Sequence, residues 1–410
     1  MSKFKRNAKV KELYAKLHNG RIKIVAGVRR CGKTYLLDTL FYDYLVKKDK
    51  ISKDAFRKIY LTGTHKKYKS EESFKTLLES IAKENPDIIF IDEVQEAENY
   101  YKVLKDFVYD YPSVDLYITG SNSNTLSADI VESFKELADI IYLYPLTFKE
   151  IRNVKRKYAL LDYLKYGGLP TVVNTSSKDT EIDHIYNQIY QLDILDRAKK
   201  ENFMYLSKED MDNIMSNLFS CSTPFSAVTV VDEMCKHYGF DNDQKAKLRR
   251  EVKDYLDIVT KSFLFNAFNN ESYDRRTPLE MIGLNKKYYC CDSGIAYEQC
   301  KIPNHKLTSA LETAVFLRLK QDNVCPTGLL LLGEKNNVEG EIDFNYSGNH
   351  IQVVYSLTSD NFDREVGNLL NVCDDCKKTL IYVDMLTDIR RIDKSINIIK
   401  AEDYLKSIPK

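Results

Sequence analysis

The sequence predicts an α/β protein that begins with a doubly wound parallel sheet. Two patterns support this prediction. Short apolar strand candidates alternate with helical patterns over the first 150 residues, and a glycine-rich loop joins the first strand to a long amphipathic segment. Strands buried on both faces of a sheet are nearly continuous apolar runs. Five segments fit that description: Ile22–Ala26, Lys58–Thr62, Ile88–Ile91, Leu116–Thr119 and Ile140–Tyr144.

The glycine-rich loop after the first strand fits the pattern G-x-x-x-x-G-K-[ST]. In such a loop the backbone N–H groups surround a β-phosphate, Lys33 neutralises β/γ oxygens, and the Thr34 hydroxyl ligates Mg²⁺. A helix that starts here adds its positive dipole end to the anion site. We therefore predict an ATP site with Mg²⁺ formed by Gly27, Val28, Arg29, Arg30, Cys31, Gly32, Lys33, Thr34 and Tyr35.

The third strand candidate ends in two acids, Asp92 and Glu93. Ligands of open α/β sheets bind at the carboxyl edge of the strands, where these side chains emerge. Asp92 is expected to bind Mg²⁺ directly or through water, and Glu93 to orient the water that attacks the γ-phosphate.

The next strand candidate runs into Gly120, Ser121 and Asn122 at the same edge of the sheet. Ser121 or Asn122 is expected to sense the γ-phosphate or to hold the lytic water. A Gly-Ser-Asn turn without a ligand role is the alternative, and it stays open for Asn122 and Asn124.

Five motifs in order resemble the AAA+-like archaeal-type ATPase family of bacteria and archaea. They are Gly27–Thr34, Phe90–Gln95, Ile118–Ser123, Tyr144–Glu150 and Tyr166–Pro170. The resemblance implies an ATPase core of the additional-strand P-loop kind, a winged-helix segment and a restriction-endonuclease-like C-terminal fold. It divides the chain into an ATPase domain (1–170), a helical and winged-helix segment (171–300) and a nuclease-like domain (301–410).

One departure from the family bears on the rate of hydrolysis. Members of this family often have Gly-Arg shortly before a Pro-Leu-Ser-Phe element, which corresponds to Pro145–Phe148 here. This chain has Lys135-Glu136-Leu137-Ala138 in place of that Gly-Arg segment. An arginine finger is worth about 10³–10⁵ in rate, so slow turnover is expected unless Lys135 or Arg197 substitutes for it. An Asp193–Arg197 pair at i,i+4 is the simpler interpretation of Arg197.

The middle of the chain predicts three helices and a β-ribbon, which is the outline of a winged helix. The helices begin after Ser207, near Ser226 and before Leu248, and the ribbon loop carries Arg275 and Arg276. The third helix presents Lys245, Arg249 and Lys253 on one face, which suggests contact with DNA phosphates. The alternative is a solvated face, because Glu251 and Asp254 dilute the basic stripe.

The C-terminal part carries a second group of acids that resembles the PD-(D/E)xK nucleases. Glu312 lies on a predicted helix, Asp343 on a strand, and Gln352 and Val354 on the next strand. Gln352 stands where the resemblance expects a metal-binding acid, and Val354 where it expects the lysine. No nearby residue obviously restores that charge, so we expect a degenerate nuclease-like scaffold without cleavage activity.

The bulk composition limits the partners. Sixty-one Lys and Arg against sixty Asp and Glu leave a net charge of +1, so nucleic-acid contact would need local patches. One patch is residues 1–23, with eight basic residues and one acid, although a solvated helix face is the usual outcome of such a run.

No apolar stretch is long enough to span a bilayer, and the nine cysteines lack framework spacing, which predicts a cytoplasmic protein with reduced thiols. The leading hypothesis is a nucleotide-controlled switch acting on DNA or a protein partner, with oligomerisation left open. The alternatives are an ATP-regulated, metal-dependent nuclease and a non-hydrolysing nucleotide-binding adaptor.

Overall fold

The computed structural model describes residues 3–120, 134, 137–220, 225–273, 285–332, 338–372 and 375–407. It divides the chain into two compact units. Unit 1 comprises Met1–Pro145 and Lys261–Phe263, and unit 2 comprises Leu146–Thr260 and Leu264–Lys410. Compact units need not coincide with domains, so the three predicted domains stay a prediction.

Unit 1 contains a five-stranded sheet in the order β2-β3-β4-β1-β5, and all its strands are parallel. The predicted parallel α/β core is therefore confirmed, with strand ends displaced by at most two residues. The central strands β1, β3 and β4 are buried along their whole length, which explains their apolar sequences. The strands are β1 (Ile22–Ala26), β2 (Phe56–Tyr60), β3 (Ile88–Asp92), β4 (Asp115–Gly120) and β5 (Ala138–Tyr142).

The helices of unit 1 cover this sheet. Three consecutive segments form the helix after the glycine-rich loop: α2, a π-helical stretch at Leu36–Phe41, and α3. The predicted apolar face of this helix is buried at Leu36, Leu37, Phe41 and Leu45. The helices are α1 (Asn7–Ala15), α2 (Lys33–Tyr35), α3 (Tyr42–Asp49), α4 (Glu71–Ala82) and α5 (Tyr100–Asp110), and a 3₁₀ turn spans Val94–Glu96.

The basic N-terminal run is not simply a solvated face. Arg6 and Lys23 are buried, and Lys23 forms an ion pair with the buried Asp115. Lys16 and Arg21 both lie within 4 Å of Asp139. Much of the positive charge is therefore used inside unit 1.

Unit 2 contains an eight-stranded mixed sheet in the order β13-β12-β11-β10-β9-β7-β8-β6. Strands β11, β12 and β13 are parallel to one another, β7 and β9 are parallel, and the other neighbours are antiparallel. The strands are β6 (Phe225–Ser226), β7 (Phe265–Tyr273), β8 (Asn285–Cys290), β9 (Thr327–Leu332), β10 (Val338–Tyr346), β11 (Asn349–Leu357), β12 (Lys377–Met385) and β13 (Ile396–Lys400).

The helices of unit 2 precede and flank this sheet. The first six are α6 (Phe148–Arg152), α7 (Leu160–Tyr166), α8 (Pro170–Asn174), α9 (Lys178–Gln188), α10 (Asp196–Glu201) and α11 (Lys208–Ser220). The others are α12 (Ala227–Tyr238), α13 (Asn242–Lys261), α14 (Ser293–Gln299), α15 (Lys306–Gln321), α16 (Phe362–Asn371) and α17 (Ala401–Lys406), with a π-helical stretch at Ile189–Leu195 and 3₁₀ turns at Pro303–His305 and Ile389–Arg391.

The three predicted helices of the middle segment are present as α11, α12 and α13, and the predicted strand after them is β7. The ribbon partner is β8, which pairs antiparallel with β7 and also with the short β6. Strand β7 also pairs with β9, so the ribbon is part of the larger sheet. Its identity as a winged helix stays a prediction, and Arg275 and Arg276 lie outside the described residues.

The buried Asp292 carboxylate connects the segment Gly167-Gly168 to α14. Asp292 accepts hydrogen bonds from the backbone N–H groups of Gly168, Gly294 and Ile295. Leu146 donates its N–H to the Gly168 carbonyl, and a Cβ at Gly168 would lie 2.0 Å from the Leu146 oxygen. Only glycine fits such a close backbone approach, which gives this motif a packing role.

No helix in the described part of the chain is both long and apolar enough to cross a membrane. Seven cysteines in these ranges are free thiols. In the segment Cys373-Asp374-Asp375-Cys376, Cys376 is partly exposed and Cys373 lies outside the described residues.

Candidate nucleotide site and carboxylate cluster

The glycine-rich loop connects β1 to α2 at the carboxyl edge of the sheet. Gly32 precedes the helix with a φ of 100°, in the left-handed region that favours glycine. A Cβ at Gly27 would lie 2.2 Å from the Leu143 carbonyl oxygen, so glycine is required there too. The loop is thus shaped by close backbone contacts, and its N–H groups precede a helix N-terminus.

Two cations hold this loop. The Lys33 ammonium donates to the carbonyl oxygens of Gly27 (2.8 Å) and Val28 (3.0 Å). The Arg6 guanidinium donates to the carbonyls of Cys31 (3.0 Å) and Pro145 (3.4 Å). Val28 and Cys31 are buried, Arg29 is half-buried, and Arg30 and Tyr35 are exposed. The Arg6 contact was not predictable from the sequence, because that arginine lies in a basic run far from any motif.

Asp92 is the centre of a hydroxyl network at the end of β3. Its Oδ1 accepts hydrogen bonds from Thr34 Oγ1 at 2.8 Å and from Thr119 Oγ1 at 2.7 Å. Burial raises the pKa of Asp92, and the two hydroxyl donors oppose that shift. The structure therefore brings together the two residues that were predicted to bind Mg²⁺.

Glu93 lies beside this network in an unusual backbone conformation. Its φ of 54° is in the left-handed region, which is uncommon for residues other than glycine and clusters at functional sites. Its N–H donates to Thr119 Oγ1 at 3.0 Å, and Gln95 donates to its carboxylate. The glutamate is thus oriented by neighbours on two elements.

Thr119 links Asp92 to Glu93, and the sequence reasoning missed that role. It placed the polar function of β4 on Ser121 and Asn122, which lie outside the described residues. A signal was present: Thr119 is the last side chain before Gly120 on a strand that was predicted to end at the same edge of the sheet as the acidic strand. Thr119 is fully buried, so its hydroxyl needs hydrogen-bond partners.

These residues fit ATP with Mg²⁺. Thr34 and Asp92 present a hydroxyl and a carboxylate oxygen 2.8 Å apart, and oxygen ligands of this kind suit Mg²⁺. Lys33 is buried with its ammonium inside the loop, where phosphate oxygens would replace the carbonyl acceptors. The donor set is therefore the one expected of a nucleotide site.

The two candidates for an arginine finger differ in what the structure records. Arg197 lies on α10, just after the π-helical stretch that contains the buried Asp193. The negative charge of Asp193 acts on the Arg197 guanidinium. Burial lowers the pKa of Arg197, and Asp193 opposes that shift. This favours the interpretation of an intrahelical pair. Lys135 lies outside the described residues.

The basic face of α13 is only partly available for phosphate contact. Lys245 forms an ion pair with Asp232 at 2.6 Å, whereas Arg249 and Lys253 are exposed. Glu251 accepts three hydrogen bonds from the backbone N–H groups of residues 204–206. Because that carboxylate is engaged locally, it dilutes the basic stripe less than the sequence suggested.

The C-terminal acids form a buried cluster around a lysine. Glu312 on α15 and Asp343 on β10 lie together with Glu341, and Lys287 of β8 lies among them. The expectation that nothing restores the charge missing at Val354 is therefore wrong. The sequence did not predict a role for Lys287, because this residue precedes the acids in the chain and reaches them only through the pairing of the strands.

The predicted third member, Gln352, faces a different residue. Its amide nitrogen donates to Glu365 Oε2 at 2.8 Å, and its Oε1 has no hydrogen-bond partner in the ranges that the structure describes. Burial raises the pKa of Glu312 well above its usual value, and it raises the pKa of Glu341 and Glu365. Burial lowers the pKa of Lys287, but the charges of Asp343 and Glu341 outweigh it and leave that pKa well above the ordinary value.

Comparison with known families supports the assignment of unit 1. Residues 19–152 match the model of an AAA domain, and residues 157–306 match that of a domain of unknown function (DUF8612). The first match contains the glycine-rich loop, Asp92 and all five parallel strands. The chain therefore contains an AAA-type P-loop ATPase domain, while the restriction-endonuclease-like identity of the C-terminal part stays a prediction.

Relatives extend over most of the chain. An uncharacterized protein of Haemophilus influenzae is 26% identical over 373 residues, 88% of each chain. Uncharacterized protein MJ1544 of Methanocaldococcus jannaschii is 25% identical over 424 residues, 97% of this chain and 89% of its own. Among solved structures, the Walker-type ATPase PABY2304 of Pyrococcus abyssi aligns with 72% of this chain and 96% of its own, at 13% identity and a TM-score of 0.45.

Proposed function

We propose that the AAA domain is a Mg²⁺-dependent ATPase with slow turnover, and that its nucleotide state acts as a switch on a DNA or protein partner. The observation that carries this proposal is the network in which Thr34 and Thr119 both donate to Asp92. It joins the glycine-rich loop to the ends of β3 and β4, so a ligand in the loop would be sensed by both strands.

Each residue has a role that follows from its position. The loop N–H groups and Lys33 bind the phosphates, and Thr34 and Asp92 hold Mg²⁺. The metal would supply Lewis-acid stabilisation of charge on the phosphoryl oxygens. Glu93, held by Gln95 and Thr119, orients the attacking water and accepts its proton.

Slow turnover is inferred from the missing Gly-Arg pair, which members of the family that the chain resembles often have shortly before the element that reads Pro145-Leu146-Thr147-Phe148 in this chain. An arginine finger contributes about 10³–10⁵ to the rate, and the simplest interpretation of Arg197 is a pair with Asp193. A domain that binds ATP firmly and hydrolyses it slowly spends most of its cycle in one state, which suits a switch better than a motor.

The proposal is tested by phosphate release and nucleotide binding in wild type, Lys33→Ala and Glu93→Gln. We expect slow turnover in wild type, loss of binding in Lys33→Ala, and binding without turnover in Glu93→Gln. ATP that binds to wild type but is never hydrolysed would indicate the adaptor instead. A basal rate equal to that of vigorous AAA+ motors would contradict the switch.

A further inference from the structure

The strongest unexplained feature of unit 2 is an ammonium enclosed by carboxylates. The Lys287 side chain is 2% exposed, and its Nζ lies 2.8 Å from Glu341 Oε1, 3.0 Å from Asp343 Oδ1 and 3.8 Å from Glu312 Oε2. A buried lysine is rare unless it is paired, and three carboxylates are more than one ammonium needs. The cluster is therefore built for positive charge at its centre.

The carboxylates are held in place by groups other than the lysine. The Tyr289 hydroxyl donates to Glu312 Oε2 at 3.0 Å, and the backbone N–H of Val353 donates to Asp343 Oδ2 at 2.8 Å. Lys287 and Tyr289 lie two residues apart on β8, and the ammonium lies 5.4 Å from the centre of the Tyr289 ring. Helix α15 and strands β8, β10 and β11 thus all contribute to the cluster.

The resemblance to nucleases implies a metal ion at Glu312, Asp343 and Gln352, and the residues do not fit one. Within the described ranges, no three His, Cys, Asp or Glu side chains are arranged to hold a metal ion. Gln352 is engaged with Glu365. A divalent cation entering the cluster would meet the fixed ammonium at close range, where repulsion in a buried site is strong.

We propose that Lys287 is the built-in cation of this cluster: it holds Glu312, Glu341 and Asp343 together in place of a divalent metal. It follows that unit 2 folds without a metal ion, and that the wild-type cluster does not bind one. It also follows that removal of the ammonium leaves uncompensated acidic side chains around its former position, where they can rearrange to bind a small divalent cation.

The central experiment compares Lys287→Met with wild type and with Lys286→Met, which removes the neighbouring lysine of the same strand. Thermal unfolding is measured without nucleotide, in EDTA and in MnCl₂, and bound Mn²⁺ is counted by titration calorimetry. In EDTA we expect the Tm of Lys287→Met to fall on the order of 10 °C, because breaking a buried ion pair is strongly destabilising. Lys286→Met should behave as wild type.

Mn²⁺ should restore much of the lost Tm in Lys287→Met and add one bound ion relative to wild type. That extra ion should disappear in the double variant Lys287→Met/Asp343→Asn. A folded Lys287→Met variant that neither loses stability nor gains a Mn²⁺ ion would overturn the proposal. Any Mn²⁺ bound at Asp92 appears equally in all these proteins and cancels in the comparison.

A second comparison does not depend on Lys287→Met folding. Wild type and Asp343→Asn should bind the same number of Mn²⁺ ions, and EDTA should leave the Tm of wild type unchanged. If Asp343→Asn binds one ion fewer than wild type, a metal shares the cluster with Lys287 and the inference is wrong.

Discussion

Replacement of Thr119 by valine tests the proposed coupling between the Mg²⁺ ligand and the catalytic glutamate. Valine keeps the shape of threonine but lacks the hydroxyl that donates to Asp92 Oδ1 at 2.7 Å and accepts from the Glu93 N–H at 3.0 Å. Because Thr119 is fully buried, water does not replace these bonds easily.

The size of the effect follows from the two bonds. A hydrogen bond to a charged group contributes about 1.5–3 kcal/mol, and leaving a buried N–H unsatisfied costs about 1–3 kcal/mol. If the charged bond also fixes Asp92 and Glu93 during hydrolysis, its loss lowers kcat by about 10–100-fold, since 1.36 kcal/mol corresponds to a factor of ten. We also expect the free energy of unfolding to fall by about 2.5–6 kcal/mol, the sum of the two costs.

The assay is steady-state phosphate release at a temperature well below both unfolding transitions, with urea unfolding as the measure of stability. Thr119→Ser is the matched control, because it keeps the hydroxyl and removes only the methyl group. It should retain kcat within a few-fold. The reasoning is refuted if folded Thr119→Val hydrolyses ATP at the wild-type rate, or if Thr119→Ser is impaired as much as Thr119→Val.

Three further predictions concern unit 2. Gly168→Ala should destabilise the protein by several kcal/mol because its Cβ would lie 2.0 Å from a backbone oxygen, whereas Gly367→Ala, with nothing within 4 Å, should be neutral or stabilising in the same urea titration. Burial raises the pKa of Asp292 to about 6, above its unfolded value of 3.8. Its contribution to stability is thus present below about pH 4 and lost as the pH rises through 6; Asp292→Asn should abolish this pH dependence of the free energy of unfolding. If α13 binds DNA, Arg249→Ala and Lys253→Ala should each reduce the salt dependence of affinity by about one unit of slope in a fluorescence titration, and unchanged slopes would exclude this face.

The parallel sheet of unit 1 was predictable because burial on both faces forces its central strands to be apolar along their length. Strands β1, β3 and β4 carry that pattern, and their observed ends differ from the predicted ones by one residue at most. The edge strand β2 lies two residues earlier in the chain than predicted. Because it is only half buried, its apolar pattern defines its two ends less sharply. The glycine-rich loop was found because its chemistry demands fixed spacing, and the pair Asp92 and Glu93 because two acids end an apolar strand.

The residues that escaped prediction act over long separations in sequence. Arg6 reaches the carbonyl of Cys31, and Thr119 reaches Asp92. Neither contact leaves a local pattern, because each depends on which strands and segments become neighbours after folding. Lys287 reaches Asp343 from 56 positions away for the same reason.

Val354 and Lys287 together explain why comparison with a linear motif predicted no positive charge in the C-terminal cluster. Val354 is 4% exposed and packs with Ile342, Leu357 and other apolar side chains, so an ammonium there would be buried without a partner. The acidic side chains Asp343 and Glu341 still need positive charge, and Lys287 supplies it from β8. A requirement for charge at a point in space is satisfied by any strand that reaches that point, whereas a motif records only one strand. The absence of a motif lysine therefore does not show that the charge is missing.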